Sequence, residues 1–459
     1  KAYFEDKMMA MRWLFFARDI HGGLGERRLF RVILKNMAKD DVDIVKHLAP
    51  IVSEYGRYDD LWCLFGTDVD GVILDIIKKQ LTDDIENMAD NKPVSLLAKW
   101  LPSVNASSAK TKMDARYICK NLGMTEREYR KTLSSLRSYI DIVESKMSAK
   151  KWGDIKYETV PSRANLIYNG AFLRNDEERR REYLSKLEKG ETKINAGTLF
   201  PHDIVHKYSS ATGWYGGVGK YDATLESLWK ALPDTVNECG NTIVVADGSG
   251  SMCCNVGGNS RVTALEVANA LAIYFAEHSS GDFKDKYITF SSRPQLVDFS
   301  QCDSLRDKLR VAYNHSECSN TNIEKVFDLI LTTAVNGHMK QEDMPKNVLI
   351  ISDMEFDSCA TCGGNGYGLN RPNSRLFDVI KKRFEDAGYQ MPRLVFWNVN
   401  SRTGTIPVKE NDLGVALVSG FSTNVCKMVM SGKTDPYECL VETLMSDRYD
   451  AVEDVLKNS

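Results

Sequence analysis

The sequence predicts an α + α/β fold, in which an α-helical first half is followed by a doubly wound, Rossmann-like α/β domain. Two observations predict it: apolar side chains recur at helical spacing through the first half, and continuous apolar strands alternate with helices from residue 242 onward. The pattern changes across a glycine-rich stretch at 212–219. We therefore expect three parts, which are a helical-repeat domain at 1–235, an α/β domain at 240–432 and a C-terminal helix at 433–459.

The helical half reads as short helices joined by short polar or glycine-containing links. The clearest of them begins after the glycines of 22–25 and carries one apolar face, formed by Leu29, Phe30, Ile33, Leu34 and Met37. Many short helices with short links are typical of a helical array. We expect HEAT-like repeats, although the sequence shows no regular period.

The second part carries the pattern of a parallel sheet covered by helices on both faces. Apolar runs of strand length occur at 243–246, 287–290, 348–351, 394–397 and 415–418. Helices are expected between and after these runs, at 263–278, 322–334, 375–387, 421–431 and 436–457.

Charge is unevenly distributed along the chain. Residues 1–235 contain 38 basic and 34 acidic side chains, a net charge of +4, whereas residues 236–459 contain 22 and 29, a net charge of −7. A mildly basic first half permits nucleic-acid binding there. The 11 scattered cysteines fit reduced thiols, and no apolar run approaches the ~20 residues of a membrane helix. We therefore expect a cytoplasmic protein without a membrane partner.

The first apolar strand of the α/β part runs into an Asp-x-Ser-x-Ser motif, formed by Asp247, Ser249 and Ser251. In an open parallel sheet, ligands bind at the carboxyl ends of the strands, which is where this motif lies. Mg²⁺ and Mn²⁺ prefer octahedral oxygen ligands. The two serine hydroxyls suit direct ligation, and Asp247 suits charge supplied through a bound water. The intervening glycines let the backbone turn tightly enough for these side chains to converge.

Two residues further along complete a known pattern. Thr321 opens a predicted helix, and Asp353 follows the strand that ends at residue 352. Together with the Asp-x-Ser-x-Ser motif they resemble the metal-ion-dependent adhesion site of von Willebrand factor A (vWA) domains, over roughly 242–432. The resemblance implies a Mg²⁺ or Mn²⁺ ion held by Asp247, Ser249, Ser251, Thr321 and Asp353. In that family one coordination position is commonly filled by a partner's carboxylate.

Each of these residues taken singly has a simpler interpretation. Thr321 and Glu324 also form the Thr-x-x-Glu pattern of a capping box. Asp353 could cap a turn or helix, and 247–251 could be an ordinary glycine-rich turn. Some vWA domains use the metal site only to hold loops in place.

Four cysteines flank the expected metal site. Cys253 and Cys254 follow the first motif, and Cys359 and Cys362 form a Cys-x-x-Cys pattern after Asp353. Because a vWA sheet places the two motif-bearing strands side by side, the four thiols could meet as a structural zinc site or a redox pair. The alternative is that they are ordinary loop cysteines.

Three segments of the helical half carry a second resemblance. They read ARDIHGGLGER at 17–27, YGRYDDLW at 55–62 and KWLPS at 99–103. With a vWA domain behind them, they resemble the Ro/TROVE group, and more closely a Ro-like family spread across plants, bacteria and phages. In Ro proteins a vWA domain closes a ring of helical repeats, and RNA binds the outer basic surface and the central hole. The resemblance therefore implies RNA binding.

Two basic clusters are candidates for phosphate contact, because Arg and Lys attract phosphates and neighbouring aromatic rings stack on unpaired bases. The residues are Arg27, Arg28, Arg31 and Lys35 in the first cluster, and Lys110, Lys112, Arg116 and Lys120 in the second. Trp100 and Tyr117 lie near the second cluster in sequence. The alternative for both clusters is a solvated helix face with paired charges.

The sequence thus predicts a non-enzymatic, Ro-like RNA-binding protein with Mg²⁺ in its vWA domain. It contains neither the Gly-x-Ser-x-Gly motif of serine hydrolases nor a Walker phosphate loop. A metal-dependent adaptor that grips a partner's carboxylate is the alternative, and a structural component of a larger particle is a third interpretation. RNA binding should fall steeply with salt, whereas adaptor binding should vanish on chelation.

Overall fold

A computed structural model describes residues 2–210, 217–236, 241–257, 260–316, 322–353, 374–400, 416–420 and 436–457. The chain divides into two compact units. Unit 1 comprises residues 1–160, 170–180 and 441–459, and unit 2 comprises residues 161–169 and 181–440. Within the described residues, no helix combines the length and the apolar character that crossing a lipid bilayer requires.

Unit 1 is built from helices and short 3₁₀ turns. Its helices are α1 (Ala2–Glu5), α2 (Lys7–Arg18), α3 (Arg27–Asp40), α4 (Val42–Leu48), α5 (Val52–Tyr55), α6 (Asp70–Ala89), α7 (Leu97–Trp100), α8 (Ala109–Asn121), α9 (Glu126–Tyr139) and α10 (Val143–Ser148). Local capping explains several boundaries. The Asp41 carboxylate accepts from the backbone N–H of Ile44 at the start of α4, and Thr125 and Glu128 form a reciprocal capping box at the start of α9.

The division between the units falls inside three helices rather than at the change of sequence pattern. These are α11 (Ser162–Asn175), α12 (Glu177–Glu188) and α19 (Pro436–Leu444). The last helix, α20 (Asp450–Lys457), belongs wholly to unit 1. Both ends of the chain therefore contribute to the helical unit.

The C-terminal segment is held in unit 1 by the buried ring of Tyr449. This ring stacks on Tyr55 with a centroid distance of 5.6 Å, and its hydroxyl donates to the carboxylate of Asp19 at 3.1 Å. Arg448 pairs with the same carboxylate at 2.6 Å. Burial acts to raise the pKa of Asp19, but the hydrogen bonds from Arg448 and from the backbone of His21 hold it below its ordinary value.

The single helix predicted at 436–457 is in fact two helices, separated by a 3₁₀ turn at Asp447–Tyr449. Arg12 explains the break. Its guanidinium donates to the backbone carbonyl of Leu444 at 2.7 Å, so a carbonyl at the end of α19 has a partner outside its helix. The same guanidinium pairs with Asp450 and Glu453 at the start of α20.

Unit 2 contains the predicted parallel sheet. In the described part of this unit, six strands lie in the order β5-β4-β3-β6-β7-β8, and all neighbours are parallel except β4 and β5. The strands of this sheet are β3 (Thr242–Asp247), β4 (Lys286–Phe290), β5 (Leu296–Asp298), β6 (Asn347–Ser352), β7 (Arg393–Asn398) and β8 (Ala416–Ser419). Two short strands, β1 (Ser209–Ser210) and β2 (Gly217–Val218), form a separate antiparallel pair.

Helices cover both faces of the sheet, as the continuous apolar strands predict. One face packs on α17 (Ile323–Asn336) and α18 (Ser374–Asp386) through a core that includes Ile243, Ile350 and Phe396. On the other face lies α15 (Ala264–His278), in which residues 264–276 are all buried. Unit 2 also contains α13 (Pro201–Tyr208), α14 (Ala223–Lys230) and α16 (Leu305–Asn314).

Packing of the C-terminal segment yields a stability prediction. We expect Tyr449→Ala to lower the free energy of unfolding by about 3–5 kcal/mol, because it removes a fully buried aromatic ring. Tyr437→Ala is the matched control, since that ring is 65% exposed, and it should change stability by no more than about 0.5 kcal/mol. Urea unfolding followed by circular dichroism measures both. Equal effects of the two substitutions would contradict this packing.

Candidate functional site

The candidate metal site begins where β3 ends, at the fully buried carboxylate of Asp247. The backbone N–H of Ser249 donates to Asp247 Oδ1 at 2.9 Å and fixes the turn that leaves the strand. A short 3₁₀ turn follows at Gly250–Cys253, and its Met252 side chain is buried. The loop is therefore anchored at both the strand and the core.

The two motif serines lie together in this loop. Their hydroxyl oxygens are 3.0 Å apart, and both residues are half-buried. The loop ends where the backbone N–H of Ala264 donates to the carbonyl of Cys254, at the start of α15. Ser249 and Ser251 therefore lie in a half-buried loop beside a buried carboxylate.

The second carboxylate comes from the neighbouring strand. Because β6 pairs with β3 in parallel register, both strands end at the same edge of the sheet. Ser352, the last residue of β6, donates its hydroxyl to Asp247 Oδ2 at 2.7 Å. Asp353 follows it directly and is fully buried. The sheet thus brings Asp247 and Asp353 to the same carboxyl edge.

Electrostatics make this edge unfavourable for two bare carboxylates. Burial is the main reason that the pKa of Asp247 is raised, to about 6, and the charge of Asp353 raises it further. The hydrogen bonds from Ser352 and Ser249 act in the opposite direction without cancelling the effect. Positive charge placed here would relieve both the burial cost and the repulsion.

The donor set fits a hard divalent cation. It offers two carboxylates and two hydroxyls, which are the oxygen ligands that Mg²⁺ and Mn²⁺ prefer. Both oxygens of Asp247 already accept hydrogen bonds. This arrangement suits charge supplied through a bound water rather than direct ligation.

The third expected hydroxyl, that of Thr321, lies outside the described residues. Its alternative role as a helix cap is filled by a neighbour. Asn322 is the N-cap of α17, and its side chain accepts from the backbone N–H of Lys325 at 3.0 Å. Glu324, the other half of the capping-box pattern, pairs with Arg383 at 2.8 Å.

The zinc or redox hypothesis falls largely outside the described part of the chain. Cys359 and Cys362 are not among the described residues, whereas Cys253 is half-buried and Cys254 is exposed. Across the described ranges, no three His, Cys, Asp or Glu side chains form a group arranged to hold a metal ion.

Of the first basic cluster, Arg31 differs from its companions. Its guanidinium pairs with Asp60 at 2.6 Å and with Asp59 at 3.0 Å. The other members, Arg27, Arg28 and Lys35, are exposed on α3, and the described residues place no carboxylate in ion-pair range of them.

The second basic cluster lies on α8. Lys110 and Lys120 are exposed and Lys112 is half-buried, whereas Arg116 pairs with Glu126 at 3.0 Å. An aromatic group adjoins this helix: Tyr117 packs edge-on against Phe65, which stacks on Trp62 at 5.4 Å. Trp100 instead lies under the guanidinium of Arg57, at 3.8 Å from the ring centroid.

Three residues in contact with the candidate site residues or their neighbours were not predicted from the sequence, and these are Ser352, Phe65 and Trp62. Ser352 was not assigned a role, although the parallel register of β3 and β6 places it opposite Asp247. Pairing the two strands by their apolar runs would have found it. Phe65 and Trp62 were missed because they approach Tyr117 only through the fold.

Two family models match the chain, each described as a domain of unknown function. DUF2828 covers residues 72–242 and DUF7788 covers residues 241–455, so the matches meet at the start of β3. A similar curated protein is an uncharacterized protein of Acanthamoeba polyphaga mimivirus, which is 29% identical over 97% of this chain and 80% of its own length. Among solved structures, the Ro (RSR) protein of Deinococcus radiodurans is similar at 14% identity with a TM-score of 0.48, over 94% of this chain and 92% of that one.

The raised pKa of Asp247 yields a prediction about pH. A folded-state pKa of about 6, against an ordinary value of 3.8, means that folding favours the protonated carboxyl. The protonated carboxyl of Asp247 therefore adds at most about 3 kcal/mol to the free energy of unfolding. This stabilisation is fully present below about pH 4 and is lost as the pH rises through 6. In metal-free protein we therefore expect Asp247→Asn to be more stable than the wild type at pH 8, with the advantage gone near pH 4.

Thermal unfolding in EDTA across this pH range measures the difference. Asp282→Asn is the control, because Asp282 is exposed in the same unit. A loss of stability in Asp247→Asn that is equal at all pH values would contradict the electrostatic explanation.

Proposed function

We propose that this protein is a non-enzymatic, Ro-like RNA-binding protein that holds a Mg²⁺ or Mn²⁺ ion at the carboxyl edge of its sheet. The observation that carries the metal part is the pair of buried carboxylates at the ends of adjacent parallel strands, beside the hydroxyls of two half-buried serines. In this proposal the α/β unit is a vWA domain, and Asp247, Ser249, Ser251, Thr321 and Asp353 hold the ion.

The RNA part rests on the exposed basic residues of unit 1, which we interpret as a HEAT-like array. Lys110 and Lys120 on α8 project from the same helix as Tyr117. Lysine charge attracts phosphates, and accessible rings stack on unpaired bases. The three segments that resemble Ro proteins point to the same ligand class. Arg31 is left out of the proposed contacts, because Asp59 and Asp60 already occupy it.

The contacts on α8 can be tested by binding. We expect Lys110→Gln with Lys120→Gln to weaken binding of a hairpin RNA with a single-stranded tail by about tenfold. The slope of log affinity against log salt concentration should become shallower by an amount that corresponds to about one to two phosphate contacts. Lys381→Gln with Lys382→Gln is the matched control, since both lysines are exposed on α18 in unit 2. Fluorescence anisotropy from 50 to about 300 mM salt measures the affinities.

Several outcomes would contradict RNA binding through α8. Equal losses in the two double variants would place the contacts elsewhere, and affinity that is independent of salt would exclude phosphate contacts. A wild-type protein that binds no RNA at low salt would exclude the function itself.

A metal-dependent adaptor is the second candidate, favoured by the partial exposure of Ser249 and Ser251. In this alternative, a partner's carboxylate completes the coordination of the ion beside these two serines. In this case the partner would be lost on chelation, whereas RNA held by lysines would remain bound.

Calorimetric titration of Mn²⁺ into EDTA-treated protein tests the metal site directly. We expect one ion to bind the wild type, Asp247→Ala to lose it, and Asp282→Ala to keep it, because Asp282 is exposed and distant in sequence from the motif. Equal binding in all three proteins would place the ion elsewhere.

A further inference from the structure

Unit 1 contains a cavity of about 510 Å³, a volume within the usual range for small-ligand sites. It lies between α9, α10, the segment before α8 and the turn at residues 149–154. None of the eight basic residues considered above as RNA contacts lines it. Its chemistry is therefore separate from the surface of α8.

Arg137 lines the cavity, and all its hydrogen-bond partners are neutral groups. Its guanidinium donates to the carbonyls of Ala98 at 2.8 Å and Leu101 at 2.7 Å, and to the hydroxyl of Ser103 at 2.8 Å. All three acceptors are neutral, and burial lowers the pKa of this arginine. A guanidinium has five N–H groups, so two remain after these three bonds.

The remaining charges of the wall are also predominantly positive. Arg130 and Lys151 line the cavity, and no carboxylate of the described residues is in ion-pair range of either. Lys146 pairs with Asp141 at 2.6 Å, so this pair is neutral overall. Asp154 is the second carboxylate of the wall. Four cations therefore face two carboxylates, and no carboxylate of the described residues is in ion-pair range of Arg137.

The rest of the wall is divided between hydroxyls and apolar side chains. Ser134, Ser138 and Ser145 contribute hydroxyl groups that can donate to an anion. Leu133 and Ile142 provide an apolar surface. A ligand that combines a phosphate with a ring would use both kinds of wall.

We propose that this cavity binds a phosphorylated ligand of nucleotide size, with its phosphate at Arg137, Arg130 and Lys151. The geometry favours phosphate because the planar guanidinium fork of Arg137 is fixed by its backbone partners and still has two N–H groups to donate. The proposal does not depend on RNA binding by α8. A free nucleotide and the phosphorylated end of an RNA strand would present the same group.

The test is calorimetric titration of the full chain with adenosine 5′-monophosphate, inorganic phosphate and adenosine. We expect the monophosphate and phosphate to bind, and adenosine to bind at least about tenfold more weakly than the monophosphate. Arg130→Gln with Lys151→Gln should weaken monophosphate binding by about tenfold or more. Arg137 itself is not substituted, because its hydrogen bonds join α9 to residues 98–103 and their loss would disturb folding.

Arg127→Gln is the matched control. Arg127 is exposed on the same helix as Arg130 but does not line the cavity, so its substitution should leave monophosphate affinity within about twofold. No binding of monophosphate or phosphate at about 5 mM would overturn the proposal, and so would equal losses in the cavity variant and the control.

Competition with a short RNA distinguishes the two sources of the phosphate. If the natural ligand is an RNA end, a short RNA with a 5′ phosphate displaces the monophosphate from the cavity, and the same RNA without that phosphate does not. If the natural ligand is a free nucleotide, neither RNA displaces the monophosphate. Either result supports the phosphate site.

Discussion

The parallel pairing of β3 with β6 is the constraint on which the candidate metal site depends. It fixes Ser352 opposite Asp247 and puts Asp353 one residue further, so two buried carboxylates meet at one sheet edge. Apolar side chains pack on both faces of this strand pair. The serine loop then adds hydroxyls where a cation would offset the repulsion. The site is thus a consequence of strand order combined with burial.

Unit 1 uses many of its charges for structure rather than for ligands. The buried carboxylate of Asp60 accepts from Arg18 at 2.8 Å and from Arg31, and a side chain at Gly56 would collide with it, since a Cβ there would lie 2.5 Å from Asp60 Oδ2. The buried carboxylate of Asp19 likewise accepts from Arg448 and so binds the C-terminal segment. The segments 17–27 and 55–62 therefore supply buried ion pairs to the framework of the helical unit. Exposed lysines outside these pairs are the better candidates for phosphate contact.

Much of the fold could be predicted from local patterns. The strands of the parallel sheet and helix α15 follow directly from their apolar runs, and the Asp-x-Ser-x-Ser motif begins at the carboxyl end of a strand, as predicted. Strand β5 was missed because its three residues are too short for a periodic signal and pair antiparallel at the sheet edge. The break near residue 445 was missed because it depends on Arg12, more than 400 residues away in sequence. Charge pairing such as that of Arg31 also depends on tertiary contacts, so composition could not separate structural arginines from exposed ones.

The edge formed by β3 and β6 is the proposed binding site of a divalent cation. The most direct test is a crystal structure of the full chain grown with Mn²⁺, with anomalous data collected to locate the ion. We expect an anomalous peak between Asp247, Asp353 and the hydroxyls of Ser249 and Ser251. A well-ordered edge with no peak there, in crystals that bind Mn²⁺ elsewhere, would contradict the proposal.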